Sequence, residues 1–278
     1  MPMPIPMRRP WIAALLPLLW LAPTAEAVAD APPSAEQISA DGGCPKCRLV
    51  RAGLRALAIE NADFAGTVLR EADLKDAHLP GADLTRADLR RTQLENARLS
   101  GANLTRVSAR GVDLEKADLS GAEFNQADLR GADMAETVLV DADLTRVDAR
   151  DATFRRAEMT RAILKDAMLR DADLERTHLA GADLAGVDAI GADLDRTDLS
   201  GANLSDADLS GVSLISADLS GANLSGARLD DALLMRTDLS GADLSTARGL
   251  DEETLAVACG DVQTKLPRGL VLAPCSTP

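Results

Sequence analysis

The chain has 278 residues and a formal net charge of −14, with 46% apolar residues but only 2% aromatic ones. Three Phe, two Trp and no Tyr exclude an ordinary globular core built on aromatic packing. Both tryptophans, Trp11 and Trp20, stand near the N-terminus, so Ala and Leu must fill the interior of whatever follows.

In chain order, residues 1–27 read first as a secretory signal peptide. Arg8 and Arg9 supply the positive start, Trp11 to Ala22 the apolar run, and Ala25-Glu26-Ala27 a small-x-small cleavage site. About 12 apolar residues interrupted by Pro17 fall short of the roughly 20 that a spanning helix needs. Cleavage after Ala27 is expected to leave a periplasmic or secreted protein with no membrane span. Residues 28–51, with Pro32-Pro33 and no apolar periodicity, are expected to form a flexible lead-in and an N-terminal cap that carries Cys44 and Cys47.

Residues 52–248 hold one five-residue register without insertion or deletion. Its central position runs Leu54, Ile59, Phe64, Leu69 and onward to Leu244, 39 units in all. The centres are Leu, Ile, Met or Phe except at Ala109, Ala149 and Ala189. Two residues before each centre stands Ala, Val or Thr, with Leu57 the one departure, and the residue between is most often Asp or Asn. A period of five matches neither the 3.6 of a helix nor the 2 of a strand. It suits a chain that turns a corner every five residues with one small and one large apolar group pointing inward. The three central alanines are spaced by 40 and each follows a valine, Val107, Val147 and Val187. On a 20-residue coil they fall on one face in alternate coils, where a larger residue beside a smaller one keeps the local volume constant.

The units Gly81-Ala82-Asp83-Leu84-Thr85 and Gly201-Ala202-Asn203-Leu204-Ser205 resemble the pentapeptide-repeat family. The resemblance implies an all-β fold, a right-handed quadrilateral β-helix. Four sides of five residues then make about ten coils, a rod roughly 45 Å long at the spacing of paired strands. Such a rod has no room inside for a substrate, and its open ends need caps.

Residues 249–278 are expected to be the C-terminal cap. Asp251 to Cys259 reads as a short helix with Asp251 as N-cap, and Cys275 can return to Cys259. In an oxidising compartment Cys44, Cys47, Cys259 and Cys275 are candidate disulfide partners. A redox pair or half a zinc site remains open for Cys44-Pro-Lys-Cys47; haem attachment would need His where Arg48 stands. The tail also resembles the ends of other exported bacterial members of the family.

With a filled interior, function must come from outward residues. Arg70, Arg90, Arg110, Arg130, Arg150 and Arg170 are spaced by 20 and fall at one point of six successive coils. Such a column is a candidate surface for an anionic partner, through paired contacts to carboxylate or phosphate. Asp88, Asp128 and Asp148, two residues before three of them, allow a solvated salt-bridge lattice instead. No catalytic constellation is expected. His78 and His178 stand five coils apart, and no phosphate loop, nucleophile elbow, metal-ligand cluster or calcium-binding nonapeptide is present. No cofactor or metal is expected, and the expected partner is an unknown protein or an anionic polymer, nucleic acid being disfavoured. Residues 181–248 carry a net charge of −8. Some family members present an acidic rod that resembles DNA to DNA gyrase, and the resemblance implies that role as an alternative. An export signal and an interrupting Arg column count against it.

Overall fold

The computed structural model describes residues 33–275. The expected signal peptide and its cleavage site lie outside the described residues.

The turn explains the architecture. At nearly every corner the carbonyl of a central residue accepts a hydrogen bond from the N–H three residues on, as from Leu57 to Leu54 at 3.1 Å, and the residue before that donor has positive φ, 55° at Ala56. Positive φ at the third residue alone is the pattern of a type II turn. Many of these positions carry Arg, Asp or Glu rather than glycine, with φ between 53° and 61°. Such a conformation costs an L-residue on the order of 1–2 kcal/mol. Bonds between coils offset it: Leu54 donates to Asp73, Ala56 to Lys75, and Asp73 to Ala52, all within 2.9 Å. Each such bond is worth about 1 kcal/mol net, so the three outweigh one strained residue.

These bonds form parallel bridges at an offset of 20 residues, from Gly43 with Asp63 to Arg228 with Arg248. One coil is therefore 20 residues with four faces. We call them first to fourth by their centres Phe64, Leu69, Leu74 and Leu79. The first turn residue has no ladder partner for its N–H, and the preceding Asp or Asn supplies one. Asp83 Oδ1 accepts from Thr85 N at 2.9 Å, and Asn103 Oδ1 from Thr105 N at 3.0 Å. The repeating Asp is thus turn chemistry.

Central and small positions form one continuous core of buried Leu, Ala, Val and Phe. Buried threonines replace alanine at some small positions without leaving a hydroxyl unpaired, since Thr177 Oγ1 donates to Phe154 O at 2.8 Å. Val107/Ala109, Val147/Ala149 and Val187/Ala189 are buried on the second face, alternating with Ala127/Leu129 and Ala167/Leu169.

Two boundaries differ from the sequence expectation. The ladder begins at Gly43 rather than Ala52, and Cys44 and Cys47 occupy an inward central and an inward small position of the first coil instead of preceding it. Residues expected to be a flexible lead-in include α1, Ala35–Asp41, with a capping box between Ser34 and Gln37. Its single apolar anchor, Ile38, is buried. One such residue in a two-turn helix leaves no periodicity to detect, so only the Ser-x-x-Gln signature could have revealed it. Gly43, at φ 139°, has no room for a Cβ, which would meet the Asp63 carbonyl oxygen at 2.2 Å.

After Arg248 the offset drifts. Asp238 pairs with Cys259 and Asp243 with Lys265, while α2, Glu252–Leu255, stands where the third face would continue. Asp251 caps α2 by accepting from Thr254 N at 2.8 Å, and Leu255 is buried in the core.

Because each coil packs only on its neighbours, a buried centre has no distant contacts to compensate for its loss. Leu129→Ala, at a fully buried centre, is expected to cost about 3 kcal/mol in urea unfolding. Ser200→Ala, on the outside, should change stability by less than about 0.5 kcal/mol.

Candidate functional site

The ladder stacks the six column arginines on the corner that follows the second face, one per coil. What each arginine does depends on the residue two places before it. Arg90 folds back onto Asp88, with Nε–Oδ1 at 2.8 Å and Nη2–Oδ2 at 2.7 Å, and Arg130 and Arg150 hold Asp128 and Asp148 in the same forked way. Val68 and Met168 stand before Arg70 and Arg170, which reach to the next coil instead. Arg70 Nε lies 3.1 Å from Asp88 Oδ2, and Arg170 Nε lies 2.6 Å from Asp188 Oδ2. The Arg70 contact is close but misaligned, so that buried nitrogen makes no hydrogen bond.

Ser108 stands before Arg110, and Arg110 has no carboxylate within 4.0 Å among the described residues. Arg91, at the neighbouring turn position, has none either. The Arg90, Arg130 and Arg150 guanidiniums hold Asp88, Asp128 and Asp148 below the usual carboxylate range by hydrogen bonding to the charged form. The column is therefore mostly a salt-bridge lattice, with Arg110 uncommitted near its middle and Arg91 uncommitted beside it.

Those two line a groove of about 540 Å³ with Arg70, Arg90 and Arg130. Gly111 and Gly131 form part of its floor, and at Gly131 a Cβ would meet nothing within 4 Å. Small turn residues thus leave space beside the guanidiniums. Glu71 also lines the groove, its carboxyl held below the usual range by the hydrogen bond from Arg51. Chemically the groove can take an oxyanion in forked hydrogen bonds beside that one carboxylate.

The third face carries the acids. Glu175 accepts from Arg155 at 2.6 Å and from Arg196 at 2.7 Å. Lys75 pairs with Glu95, whose carboxyl is held low, whereas burial and the nearby Glu95 push Asp113 up. Burial likewise pushes Asp193 up.

His78 and His178 share the fourth face but not a site, and His178 Nε2 lies 3.7 Å from Glu158. Cys44 is joined to Cys47 and Cys259 to Cys275, with Cα–Cα distances of 5.5 and 4.7 Å. Asp238 lies beside the second pair. Both sulfurs there are bonded to each other. Among the described residues no helix is long and apolar enough to cross a membrane.

Comparison with known proteins agrees with the ladder. The family described as pentapeptide repeats matches in eight copies, over residues 47–86, 69–106, 97–135, 137–176, 177–214 and 213–248. HetL, a pentapeptide repeat protein involved in heterocyst differentiation regulation in the cyanobacterium Nostoc, is 32% identical; the match covers 80% of this chain and 91% of HetL, with a TM-score of 0.40. A pentapeptide repeat protein of the Arabidopsis thaliana thylakoid lumen is 30% identical over 47% of this chain and 79% of its own, with a TM-score of 0.28. QnrB1, a plasmid-mediated fluoroquinolone resistance protein, is 18% identical over 81% and 86%, with a TM-score of 0.40. No curated protein matches the chain.

The raised carboxyl gives a signed prediction. Ionised Asp113 is disfavoured in the fold, so its destabilising effect is absent in acid and grows as pH rises through the carboxylate range. Asp113→Asn keeps an oxygen for the Glu115 N–H and should raise stability by about 0.5 kcal/mol or less at pH 7. At pH 3 the two proteins should unfold alike by chemical denaturation.

Proposed function

The chain belongs to the pentapeptide-repeat family, and from that premise we propose that it is a non-catalytic, exported rod that serves as a rigid interaction scaffold. One observation carries the reading: the interior is filled from end to end by buried Leu and Ala, so only the outer side chains can meet a partner. A right-handed quadrilateral β-helix of about ten coils, closed at one end by α1 and at the other by α2 and the Cys259–Cys275 loop, is the architecture proposed. Export rests on the Arg8-Arg9 start, the apolar run and the Ala25-Glu26-Ala27 site, and two joined cysteine pairs suit an oxidising compartment.

A second reading, an anion-binding surface, is favoured by the uncommitted Arg91 and Arg110 beside the glycine-floored groove. It narrows the column from six arginines to its middle. The partner is an anionic polymer or the acidic surface of a protein, held by forked contacts.

Three measurements test these readings. N-terminal sequencing of protein from the periplasm or medium should begin at Val28; an intact Met1 in the cytosol would remove export and reopen mimicry of DNA. A thiol titration of the folded protein should find no free cysteine, and four reactive thiols would contradict both pairings. Salt-sensitive retention on phosphocellulose should fall strongly in Arg91→Gln/Arg110→Gln and little in Arg150→Gln, whose guanidinium is already committed to Asp148. Equal loss in both would remove the anion-binding reading.

A further inference from the structure

The ladder ends on the third face before it ends on the others. On the first, second and fourth faces the chain after residue 244 adds Lys265, Arg248 and Cys259 as further rungs. On the third, Ser213 bridges Leu233 and nothing follows, because Glu253, 20 residues on, lies in α2. A regular rung would have the Leu234 N–H donate forward and the Ala232 carbonyl accept, as Leu214 N donates to Leu233 O at 2.9 Å and Leu233 N to Val212 O at 2.9 Å one coil earlier. Neither Leu234 N–H nor Ala232 C=O has a hydrogen-bond partner among the described residues.

Between this edge and α2 lies a groove of about 510 Å³. Ala232, 6% exposed, and Leu234, 1% exposed, both line it. The outward positions around it are apolar where the repeat elsewhere is mostly polar or charged. Leu233 is 55% exposed, Met235 46% and Val257 50%, with Ile215 beside them. Asp231 and Glu253 stand at the rim, in the part of the rod that is most acidic.

We propose that this groove receives an extended segment of a partner protein, apolar at its centre and basic at its flanks, which adds the missing rung to the third face. The backbone of one residue of the segment would accept from Leu234 N–H and donate to Ala232 C=O, strand addition at an open edge. Its outward side chain would pack on Leu233 and that of the second residue on would pack on Met235 and Val257, with a small residue between them. Lysines or arginines at the flanks would meet Asp231 and Glu253. The proposal rests on the scaffold reading only in taking a protein as partner, and it uses none of the arginine groove.

The test uses the mature protein and a labelled peptide, Lys-Lys-Leu-Ala-Leu-Lys-Lys, blocked at both ends, with binding followed by fluorescence anisotropy. Saturable binding is expected, weakened about tenfold or more by N-methylation of the first leucine, which removes the donor to Ala232 and crowds the edge. Leu233→Glu and, separately, Met235→Glu should each abolish it while the circular dichroism spectrum and melting temperature stay as in the parent, both side chains being exposed. Arg110→Gln should bind the peptide unchanged, which separates this site from the arginine groove. Equal binding by the N-methylated peptide, or retention of binding in both glutamate variants, overturns strand addition in this groove. So does a concentration-dependent dimer of the parent that Leu233→Glu dissociates, since the groove would then be a contact between copies.

Discussion

A hydrogen-bonded turn with one residue at positive φ, repeated every five positions, is the constraint on which the rest of this structure depends. It sends the chain round a corner after one rung, so no strand grows long enough to twist, and four corners bring residue 20 above residue zero. The strain stored at each arginine or aspartate in the left-handed region is affordable only because the neighbouring coils hold both sides of the corner. Break the ladder, and the turn loses the bonds that offset its strain. That coupling makes the rod cooperative between neighbours and indifferent to distant coils.

The same geometry divides side chains by position. Central and small positions go inward whatever their identity, which is why Cys44 and Cys47 pack in the first coil like the Leu and Ala they replace. The remaining positions go outward, and there the default is Asp for a turn N–H and Ser, Arg or Gly for the corner. Such a default surface is self-satisfied, with aspartates bonded to their own turns and arginines to those aspartates. Information about partners therefore lies in the departures. Ser108 in place of Asp leaves Arg110 uncommitted, and Leu233 and Met235 in place of polar residues make an apolar wall in an acidic stretch.

The ends follow different rules from the middle. At the N-terminal side α1 seats Ile38 in the core. At the C-terminal side the chain abandons the five-residue register, adds rungs at offsets of 21 and 22 residues, and ties itself back through Cys259 and Cys275. A helical turn cannot supply a rung, because its N–H groups all point one way along its axis and its C=O groups the other, instead of lying side by side along an extended backbone. Placing α2 over the third face thus covers the core with Leu255 while leaving one edge of the ladder without its partner.

The sequence by itself determined the five-residue register, and the resemblance of its units to the pentapeptide-repeat family implied the four-sided coil. Uninterrupted spacing of the centres from Leu54 to Leu244, and the paired Val107/Ala109 substitutions at multiples of 40, are periodic signals, and periodicity survives in one dimension. It also placed the six arginines in one column, since positions 20 apart must stack once the coil is known. What only the tertiary structure decided is local and aperiodic: that α1 forms on a single buried isoleucine, that the ladder starts at Gly43, and that Arg91 and Arg110 have no carboxylate within reach while their neighbours do. The groove at α2 belongs to the same class. It exists because a four-residue helix takes the place of one rung, and whether a backbone N–H finds its acceptor depends on the path of a segment 20 residues further along the chain.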